Sequence, residues 1–280
     1  MLLDHQQFAS DRVIIISAPN GARRTQDDHS ALPITPDEMA DCAQSLLEEG
    51  VSVLHLHVRD KHQKHTLDAD RYRAALAAVR DRVGDSLVLQ VTTEAVGKYA
   101  RDEQMAMVKT LRPEAVSLAL RELCPDDKAE VQAAAFFDWL RKEKIWPQYI
   151  LYSDDEVRRF DALRQRGIFA EEHPFCLFVM GRYSDALEGN ISELEAMLDA
   201  TDCGQFPWSA CCFGKRENEA MLKATRASGH VRIGFENNLS LIDGSIARDN
   251  AQLIEQYRLS ATDSGRRPAT AAEIRNECIN

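Results

Sequence analysis

The chain has 280 residues, of which 44% are hydrophobic and 28% are charged, and its formal net charge is −11. This composition is typical of a globular protein, and the length suits either two small domains or one large α/β barrel. The negative charge and the absence of any run of Lys or Arg argue against nucleic acid or an anionic membrane surface as a partner.

The sequence also gives expectations about compartment and redox state. No segment approaches the ~20 apolar residues that a membrane span requires, and the first residues lack the basic and apolar regions of a signal peptide. We therefore expect a cytoplasmic protein without a membrane partner. The seven cysteines are scattered and contain no C-x-x-C, so we predict reduced thiols rather than disulfides or a zinc knuckle.

Strand-like and helix-like segments alternate along the chain. Runs rich in apolar and β-branched residues predict strands at 12–17, 51–60, 87–93, 115–120, 147–152, 175–180, 208–213 and 231–235. Helix signals follow them at 35–50, 71–80, 102–111, 128–144, 153–167, from Ser192, at 217–226 and at 246–257. Thr35, Ser153 and Ser192 each begin a capping-box pattern, with a Glu three residues later.

This alternation predicts the fold class α/β and, within it, a (β/α)8 TIM barrel. Such barrels have ~250 residues and parallel strands buried on both faces. A doubly wound sheet is the alternative, but it would favour a Gly-rich phosphate loop after the first strand, and residues 17–22 do not have that pattern. We expect one barrel domain over residues 1–280 with a short C-terminal helical extension capped by Thr270, packed on the barrel or on a neighbouring subunit.

The second predicted strand carries two histidines, His55 and His57, among apolar residues. Side chains on a strand alternate between faces, so both imidazoles point the same way. A single buried histidine is more often a hydrogen-bonded core residue. Two on one face favour a metal site, because neutral imidazole is a common ligand for zinc and its neighbours. A third ligand must come from elsewhere in the chain.

The other candidate residues come from strand ends, where barrels of this class place their chemistry. Strand eight carries Arg232 and is followed by Glu236, and strands two and eight both flank strand one in a closed barrel. Glu236 can therefore complete a His2Glu set with one position open, although a solvated loop carboxylate is the alternative. Thr92 and Thr93 end strand three and are expected to face the same mouth.

Two segments resemble a known family. They are His-Leu-His-Val-Arg-Asp at 55–60, after the helix start Leu-Pro-Ile-Thr-Pro-Asp-Glu at 32–38, and the run Gly-His-Val-Arg-Ile-Gly-Phe-Glu-Asn-Asn at 229–238. With further matches downstream, they resemble the β-keto acid cleavage enzymes, whose namesake is 3-keto-5-aminohexanoate cleavage enzyme. The resemblance covers nearly the whole chain and implies an oligomeric (β/α)8 barrel, as a dimer or tetramer.

The resemblance also implies chemistry. A zinc site carries over to His55, His57 and Glu236, and the implied reaction converts a β-keto acid and acetyl-CoA into acetoacetate and a new CoA thioester. Zinc is suited to polarise the 3-keto oxygen. Arg232 would pair with a carboxylate or developing oxyanion, or else form a barrel salt bridge. Thr92 stands where the family has a substrate-orienting Ser.

The predicted substrate-binding residues are Arg23, Thr93, Lys215 and Arg216. Lys215 and Arg216 follow strand seven at a helix start and are placed to meet CoA phosphates, with an exposed basic pair as the alternative. Arg23 stands where members with the namesake activity carry a Glu that suits a substrate amino group.

Several positions depart from the family pattern. The family base, an Asp, is replaced by Asn237, and an amide cannot accept a proton at neutral pH. Glu94 and Ala95 replace a Gly-Gly pair, which makes Glu94 an alternative acidic residue at the mouth or a solvated loop carboxylate. The polar run after strand four has become Leu-Ala-Leu-Arg at 118–121, and strand five lacks acidic residues.

Three hypotheses follow from these residues. The first is an active, zinc-dependent acyltransferase or carbon–carbon-cleaving enzyme whose substrate is a β-keto acid other than the amino-keto acid. The second is a catalytically silent relative that binds metal and an anionic ligand, which Asn237 favours. The third is a metal hydrolase, in which the metal activates water and no strong protein base is required.

Overall fold

The computed structural model describes residues 4–184 and 186–279, and a closed barrel of eight parallel strands lies at its centre. The strands are β1 (Ile15–Ser17), β2 (Val53–Leu56), β3 (Val88–Thr92), β4 (Ala115–Ala119), β5 (Trp146–Leu151), β6 (Phe175–Met180), β7 (Trp208–Cys212) and β8 (His230–Ile233). Each strand pairs with the next in the chain, and β8 closes on β1 with Val231 opposite Ile15. The predicted TIM barrel is confirmed.

Helices alternate with the strands, as in a (β/α)8 barrel. They are α1 (Pro36–Glu48), α2 (Ala69–Val83), α3 (Arg101–Leu111), α4 (Glu130–Lys142), α5 (Asp154–Gln165), α6 (Ile191–Asp199), α7 (Glu217–Arg226) and α8 (Asn250–Ser260). A further helix, Asp4–Asp11, precedes β1, and a short helix, Ala271–Ile274, follows α8. Within the described residues, the structure has no helix with the length and apolar character needed to cross a membrane.

Every residue of the eight barrel strands is buried, because helices cover one face and the packed barrel interior covers the other. Outward-facing residues such as Leu54 and Leu89 join the main core under the helices. Inward-facing Val53 and Val88 belong to an apolar layer at the amino-terminal end of the barrel. The inward positions two residues later carry polar side chains, which brings the site residues to the opposite end.

The predicted histidine strand is divided in two. β2 ends at Leu56, and Val58–Arg59 turns away to form an antiparallel pair with His65–Thr66. At His57, the side chain of Asn20, in the loop after β1, makes the hydrogen bonds that a neighbouring strand would otherwise make. Its side chain accepts a hydrogen bond from the His57 N–H at 3.2 Å and donates one to the His57 carbonyl at 2.9 Å. The first predicted strand is also divided, because Arg12–Val13 pairs with Arg267–Pro268 and only Ile15–Ser17 belongs to the barrel.

Two predicted helix starts were wrong. α6 begins after Asn190 rather than Ser192, because the Asn190 side chain accepts a hydrogen bond from the Ser192 N–H and Glu193 completes the capping box. α8 begins at Asn250 with Asp249 as its N-cap. Ile246, predicted to be helical, instead forms an isolated bridge with Ser240.

The carboxyl-terminal segment packs on the barrel. Arg267–Pro268 runs parallel to Arg12–Val13, and Thr270 caps the short helix as predicted. The Arg266 guanidinium donates hydrogen bonds to three backbone carbonyls, those of Arg12, Thr225 and Gly229. The carboxyl-terminal segment therefore packs against the apolar layer at the amino-terminal end of the barrel, through Ala269, Ala271 and Ile274.

Candidate metal centre and active site

His55 and His57 project from β2 and its extension into the carboxyl-terminal mouth of the barrel. Their Nε2 atoms lie 3.2 Å apart, and both side chains are almost completely buried. The Nδ1 atoms face away from each other. His55 Nδ1 lies 2.8 Å from Gln90 Oε1, and His57 Nδ1 lies 3.3 Å from His65 Nδ1.

Glu236 reaches the same point from the loop after β8. Its Oε2 lies 3.6 Å from His55 Nε2 and 3.4 Å from His57 Nε2, while Oε1 accepts a hydrogen bond from Arg232 at 2.8 Å. Gly21 makes this approach possible. Its φ is +60°, and a Cβ there would lie 2.5 Å from Glu236 Cγ, so both backbone shape and space require glycine.

The electrostatics of the cluster suit a cation. Burial lowers the pKa of His55 to about 3, so its imidazole is neutral at physiological pH. Burial opposes ionisation of Glu236, but Arg232 and the two imidazoles outweigh that effect and hold its pKa well below the usual value. The cluster therefore combines an ionised carboxylate with a neutral imidazole donor.

These residues fit a divalent transition metal. One donor atom from each of His55, His57 and Glu236 lies within 4.8 Å of the others. Among the described residues, no hydrogen bond of ordinary geometry satisfies the buried Oε2 of Glu236, which faces both imidazole nitrogens. Two imidazoles and one carboxylate form the ligand set of open, catalytic zinc sites.

A cavity of about 380 Å³ opens beside this cluster. Three further predicted residues line it, namely Thr92, Glu94 and Arg232. The hydroxyl of Thr92 accepts a hydrogen bond from the Glu94 N–H at 3.1 Å, which fixes the end of β3. Arg232 is 3% exposed and forms an ion pair with Glu236, as in the predicted alternative of a barrel salt bridge. It also lines the cavity, so its guanidinium lies at the cavity wall.

The opposite wall of the cavity is apolar. It consists of side chains from β4, β5, β6 and the end of β7: Ala119, Ile150, Val179 and Phe213, with Tyr152 at the edge. These positions include the strand-four and strand-five departures noted in the sequence. The described cavity lining has no carboxylate on this wall that could pair with a substrate ammonium group.

Arg182 is a cavity residue that the sequence reasoning missed. It follows β6, is largely buried, and donates a hydrogen bond to Glu94 Oε1 at 3.1 Å across the mouth. Arg23 approaches the same Glu94 oxygen at 3.9 Å and is more exposed. Arg23, Glu94 and Arg182 also line a second cavity, which shares Glu94, Arg182, Phe213 and Glu236 with the first. The only sequence signal for Arg182 was its place directly after a strand.

Four predicted residues lie elsewhere. Thr93, which was expected at the mouth, does not line either mouth cavity. It follows inward-facing Thr92, so strand alternation turns it outward, and its hydroxyl donates to the Ser117 carbonyl. Asn237 is fully buried and does not line either mouth cavity. Lys215 and Arg216 are exposed at the start of α7 and also lie outside both cavities.

Comparison with known proteins places this barrel in a family. The model of the beta-keto acid cleavage enzyme family matches residues 12–278. The chain belongs to the beta-keto acid cleavage enzymes, and it is an enzyme that cleaves β-keto acids. The predicted family resemblance is confirmed.

Three relatives indicate the range of the family. A 3-keto-5-aminohexanoate cleavage enzyme of Fusobacterium nucleatum is 27% identical over 95% of this chain and 97% of its own length. A 3-oxoadipate:acetyl-CoA acetyltransferase of Cupriavidus necator is 26% identical over 94% and 93% of the two chains. A 3,5-dioxohexanoate:acetyl-CoA acetone transferase of Paraburkholderia graminis is 31% identical over 94% of each.

Solved structures share the fold. ObcA in its binary complex with oxaloacetate superposes with a TM-score of 0.71 at 18% identity, covering 89% of this chain and 67% of that chain. At that identity the likeness concerns the barrel alone.

Proposed function

We propose that this protein is a metal-dependent enzyme that condenses a β-keto acid with acetyl-CoA, giving acetoacetate and a new acyl-CoA. The convergence of His55, His57 and Glu236 beside the mouth cavity is the observation that carries the proposal. We include acetyl-CoA as co-substrate because the relatives from Cupriavidus and Paraburkholderia are named for transfer reactions with it. We propose zinc as the metal, because two imidazoles and a carboxylate suit it.

Each side chain has a separate task in this proposal. A metal held by the three ligands supplies Lewis-acid polarisation of the 3-keto oxygen. Arg232 holds Glu236 in place and directs positive charge into the cavity, where it stabilises the substrate carboxylate or a developing oxyanion. Thr92 orients substrate with its hydroxyl. Lys215 and Arg216, exposed at the start of α7, meet the CoA phosphates.

The cavity favours a substrate other than the amino-keto acid. Arg23 and Arg182 contribute guanidinium groups at the mouth, and the wall from β4 to β7 is apolar. A substrate ammonium group would meet positive charge and lose water, and the two cavity carboxylates, Glu94 and Glu236, are already paired with Arg182 and Arg232. We therefore propose a β-keto acid with a second negative charge as the substrate class.

A catalytically silent relative is the second candidate, and Asn237 favours it, because an amide stands where the family has its proposed base. We also propose a cytoplasmic homo-oligomer, as the family resemblance implies.

One experiment tests the metal and the reaction separately. Purified protein is analysed for bound elements, and the zinc-loaded form is incubated with acetyl-CoA and a panel of β-keto acids. We expect one metal per chain and the consumption of both substrates. The double variant His55→Ala/His57→Ala should lose the metal. Metal retention by that variant would place the site elsewhere, whereas metal binding without turnover would favour the silent relative.

A further inference from the structure

Tyr152 is a polar residue of the mouth cavity that has no task in the proposed reaction as described so far. It follows β5 directly, is partly buried, and lies at the edge of the apolar wall. Its hydroxyl forms no hydrogen bond with any residue that the structure describes, although a tyrosine hydroxyl inside a protein usually has a partner. The cavity therefore contains an O–H donor that is available to a bound molecule.

The ring of Tyr152 is held in place from the rim of the barrel. The Arg121 guanidinium lies 4.5 Å from the centre of the Tyr152 ring and 4.6 Å from the centre of the Tyr183 ring. Arg121 also donates to Glu156 Oε1 at 2.5 Å, and Glu156 Oε2 accepts from the Tyr152 N–H at 2.8 Å. The cation–π contact and the ion pair together fix the orientation of the ring. Arg121 is part of the departure from the family pattern at 118–121.

The hydroxyl of Tyr152 keeps its proton at physiological pH. Burial raises the pKa of Tyr152 well above its usual value. Of the neighbouring groups, Tyr183, Glu94 and Glu122 act in the same direction, and Arg232 acts against them. A phenol in this environment is a hydrogen-bond donor and not a base. It is therefore suited to stabilise negative charge on a substrate oxygen.

The apolar wall connects Tyr152 with the proposed CoA site. Phe213 lies at the β7 side of this wall and precedes Lys215 by two residues. A pantetheine arm that extends from phosphates at Lys215 and Arg216 towards the metal cluster would pass Phe213 and contact the apolar wall. Its thioester would then lie between the metal cluster and Tyr152.

We propose that Tyr152 is a catalytic residue whose hydroxyl donates a hydrogen bond to the thioester carbonyl oxygen of acetyl-CoA, and that Arg121 and Glu156 are positioning residues for its ring. The inference rests on the proposed acyl transfer. When the carbanion of the β-keto acid adds to the thioester carbon, a carbon–carbon bond forms and the π electron pair moves to the oxygen. The pair returns when the carbon–sulfur bond breaks and the CoA thiolate leaves. Tyr152 keeps its proton throughout and stabilises the charge on that oxygen.

Tyr152→Phe tests the hydroxyl alone, because it keeps the ring that contacts Arg121. Removal of one donor to a developing oxyanion costs about 10²–10³-fold in kcat, and we expect a loss of that order with KM for the β-keto acid little changed. Tyr257→Phe is the matched control, because it makes the same chemical change in α8, where the hydroxyl contacts Thr225 at 2.7 Å. It should keep the wild-type kcat.

A double-mutant cycle tests the positioning role of Arg121. Arg121→Leu removes the guanidinium, and we expect kcat to fall by about tenfold. In the Tyr152→Phe background the same substitution should have little further effect, because the hydroxyl that Arg121 positions is absent. A merely structural role of Arg121 would lower kcat equally in both backgrounds.

Acetyl-CoA with ¹³C at the thioester carbonyl supplies a readout that does not require turnover. The zinc-loaded protein is saturated with this probe in the absence of any β-keto acid. We expect the carbonyl resonance of the bound probe to move downfield from its position in free acetyl-CoA, because a hydrogen bond withdraws electron density from the carbonyl carbon. The displacement should be smaller in Tyr152→Phe and unchanged in Tyr257→Phe.

Three results would overturn the proposal: an unchanged kcat in Tyr152→Phe, a carbonyl resonance that is the same in Tyr152→Phe and the wild type, and equal effects of Arg121→Leu in both backgrounds. Failure of the wild type to consume any β-keto acid would refute the proposed function instead. The carbonyl resonance would then still decide whether Tyr152 donates to the thioester.

Discussion

The side chain of Asn237 is fully buried, and neither atom of its amide has a hydrogen-bond partner within the described residues. Burying an amide without partners costs about 1–3 kcal/mol for each unmet group, so this position is not optimised for stability. Its backbone is well held, because the N–H donates to the Gly234 carbonyl and its own carbonyl accepts from Gly214. The family resemblance places a proton-accepting Asp at this residue, and an amide cannot take that role.

Restoring the carboxylate tests whether a base is the missing part. General-base assistance contributes ~10²–10⁴-fold, so Asn237→Asp should raise kcat on the best β-keto acid by a readily measured factor. Glu94→Gln should lower kcat if Glu94 has taken over proton transfer. Steady-state kinetics of both variants with acetyl-CoA present give the answer.

The ion pair between Glu94 and Arg182 bears on the second arm of this test. A carboxylate engaged by a guanidinium at 3.1 Å has less freedom to turn towards substrate, so we expect the larger effect at Asn237. Glu172→Gln, at a strongly exposed carboxylate, serves as the control. If neither variant alters turnover, proton transfer runs through neither residue.

At the scale of elements, side chains from the loops that follow β1, β3 and β6 contact one another across the mouth of the barrel. Glu94 accepts from Arg182 and lies 3.9 Å from Arg23, so one carboxylate links two guanidinium groups. With Arg24, Arg232 and Glu236 included, the cavity residues carry four guanidinium groups and two carboxylates before any metal is counted. The mouth therefore has an excess of positive charge.

This excess predicts substrate preference. Replacing Arg182 by Gln should raise KM for a β-keto dicarboxylate by about tenfold or more, with a smaller change for a monocarboxylic β-keto acid, because only the former loses a charge-assisted hydrogen bond. Arg23→Gln should act in the same direction and more weakly, since Arg23 is more exposed. Initial rates over a range of both substrates give the two KM values.

Arg226→Gln, on the exposed face of α7, is the control for charge alone. A wild-type preference for the amino-keto acid over the dicarboxylate would contradict the proposed substrate class.

Local sequence patterns predicted the strands and helices well where a regular pattern of buried residues defines them. They predicted the boundaries less well where the contact of a single side chain determines where an element ends. Continuous apolar runs and capping boxes predicted the eight strands and the start of α1, because burial and N-cap bonds are local in sequence. The break after Leu56 depends on Asn20, which comes from another loop and has no local signal. The placements of Arg182 and His65 likewise follow from tertiary contacts across the mouth.

Alternation also explains which of the predicted site residues face the cavity. His55, His57 and Thr92 lie at inward positions and line the cavity. Thr93 was expected beside Thr92, although adjacent strand residues face opposite sides.

At the scale of the whole molecule, one buried acid links pH to stability. Glu217, the first residue of α7, accepts hydrogen bonds from the Gly234 N–H at 3.1 Å and from Asn238 at 3.2 Å. Burial raises its pKa to about 8. The folded protein therefore holds a proton that the unfolded chain releases near pH 4–5.

The sign of the effect follows from proton linkage. A raised pKa contributes stability that is fully present below the unfolded pKa and is lost as pH rises through about 8. We expect this group to lower the free energy of unfolding by a few kcal/mol (order of magnitude) between about pH 5 and pH 8. Urea unfolding of the wild type and Glu217→Gln at several pH values measures it.

The informative quantity is the slope of the free energy of unfolding against pH. The absolute value is less informative, because Glu217→Gln also loses one hydrogen-bond acceptor. The variant should show a flatter dependence than the wild type across this range. Glu219→Gln, two residues further along α7 and exposed, should keep the wild-type slope. Equal slopes in all three proteins would show that Glu217 is ionised in the folded state at neutral pH.

Barrel closure joins segments from opposite ends of the chain, with Ile15 paired to Val231 and Arg12 paired to Arg267. During synthesis on a ribosome, the first strand gains its second neighbour only after almost all of this sequence has emerged, and its edge stays open until then. The three proposed metal ligands are made in the same order, with His55 and His57 early and Glu236 late. A metal ion could therefore be bound by all three donors only after the ring of strands is complete, late in synthesis of the chain.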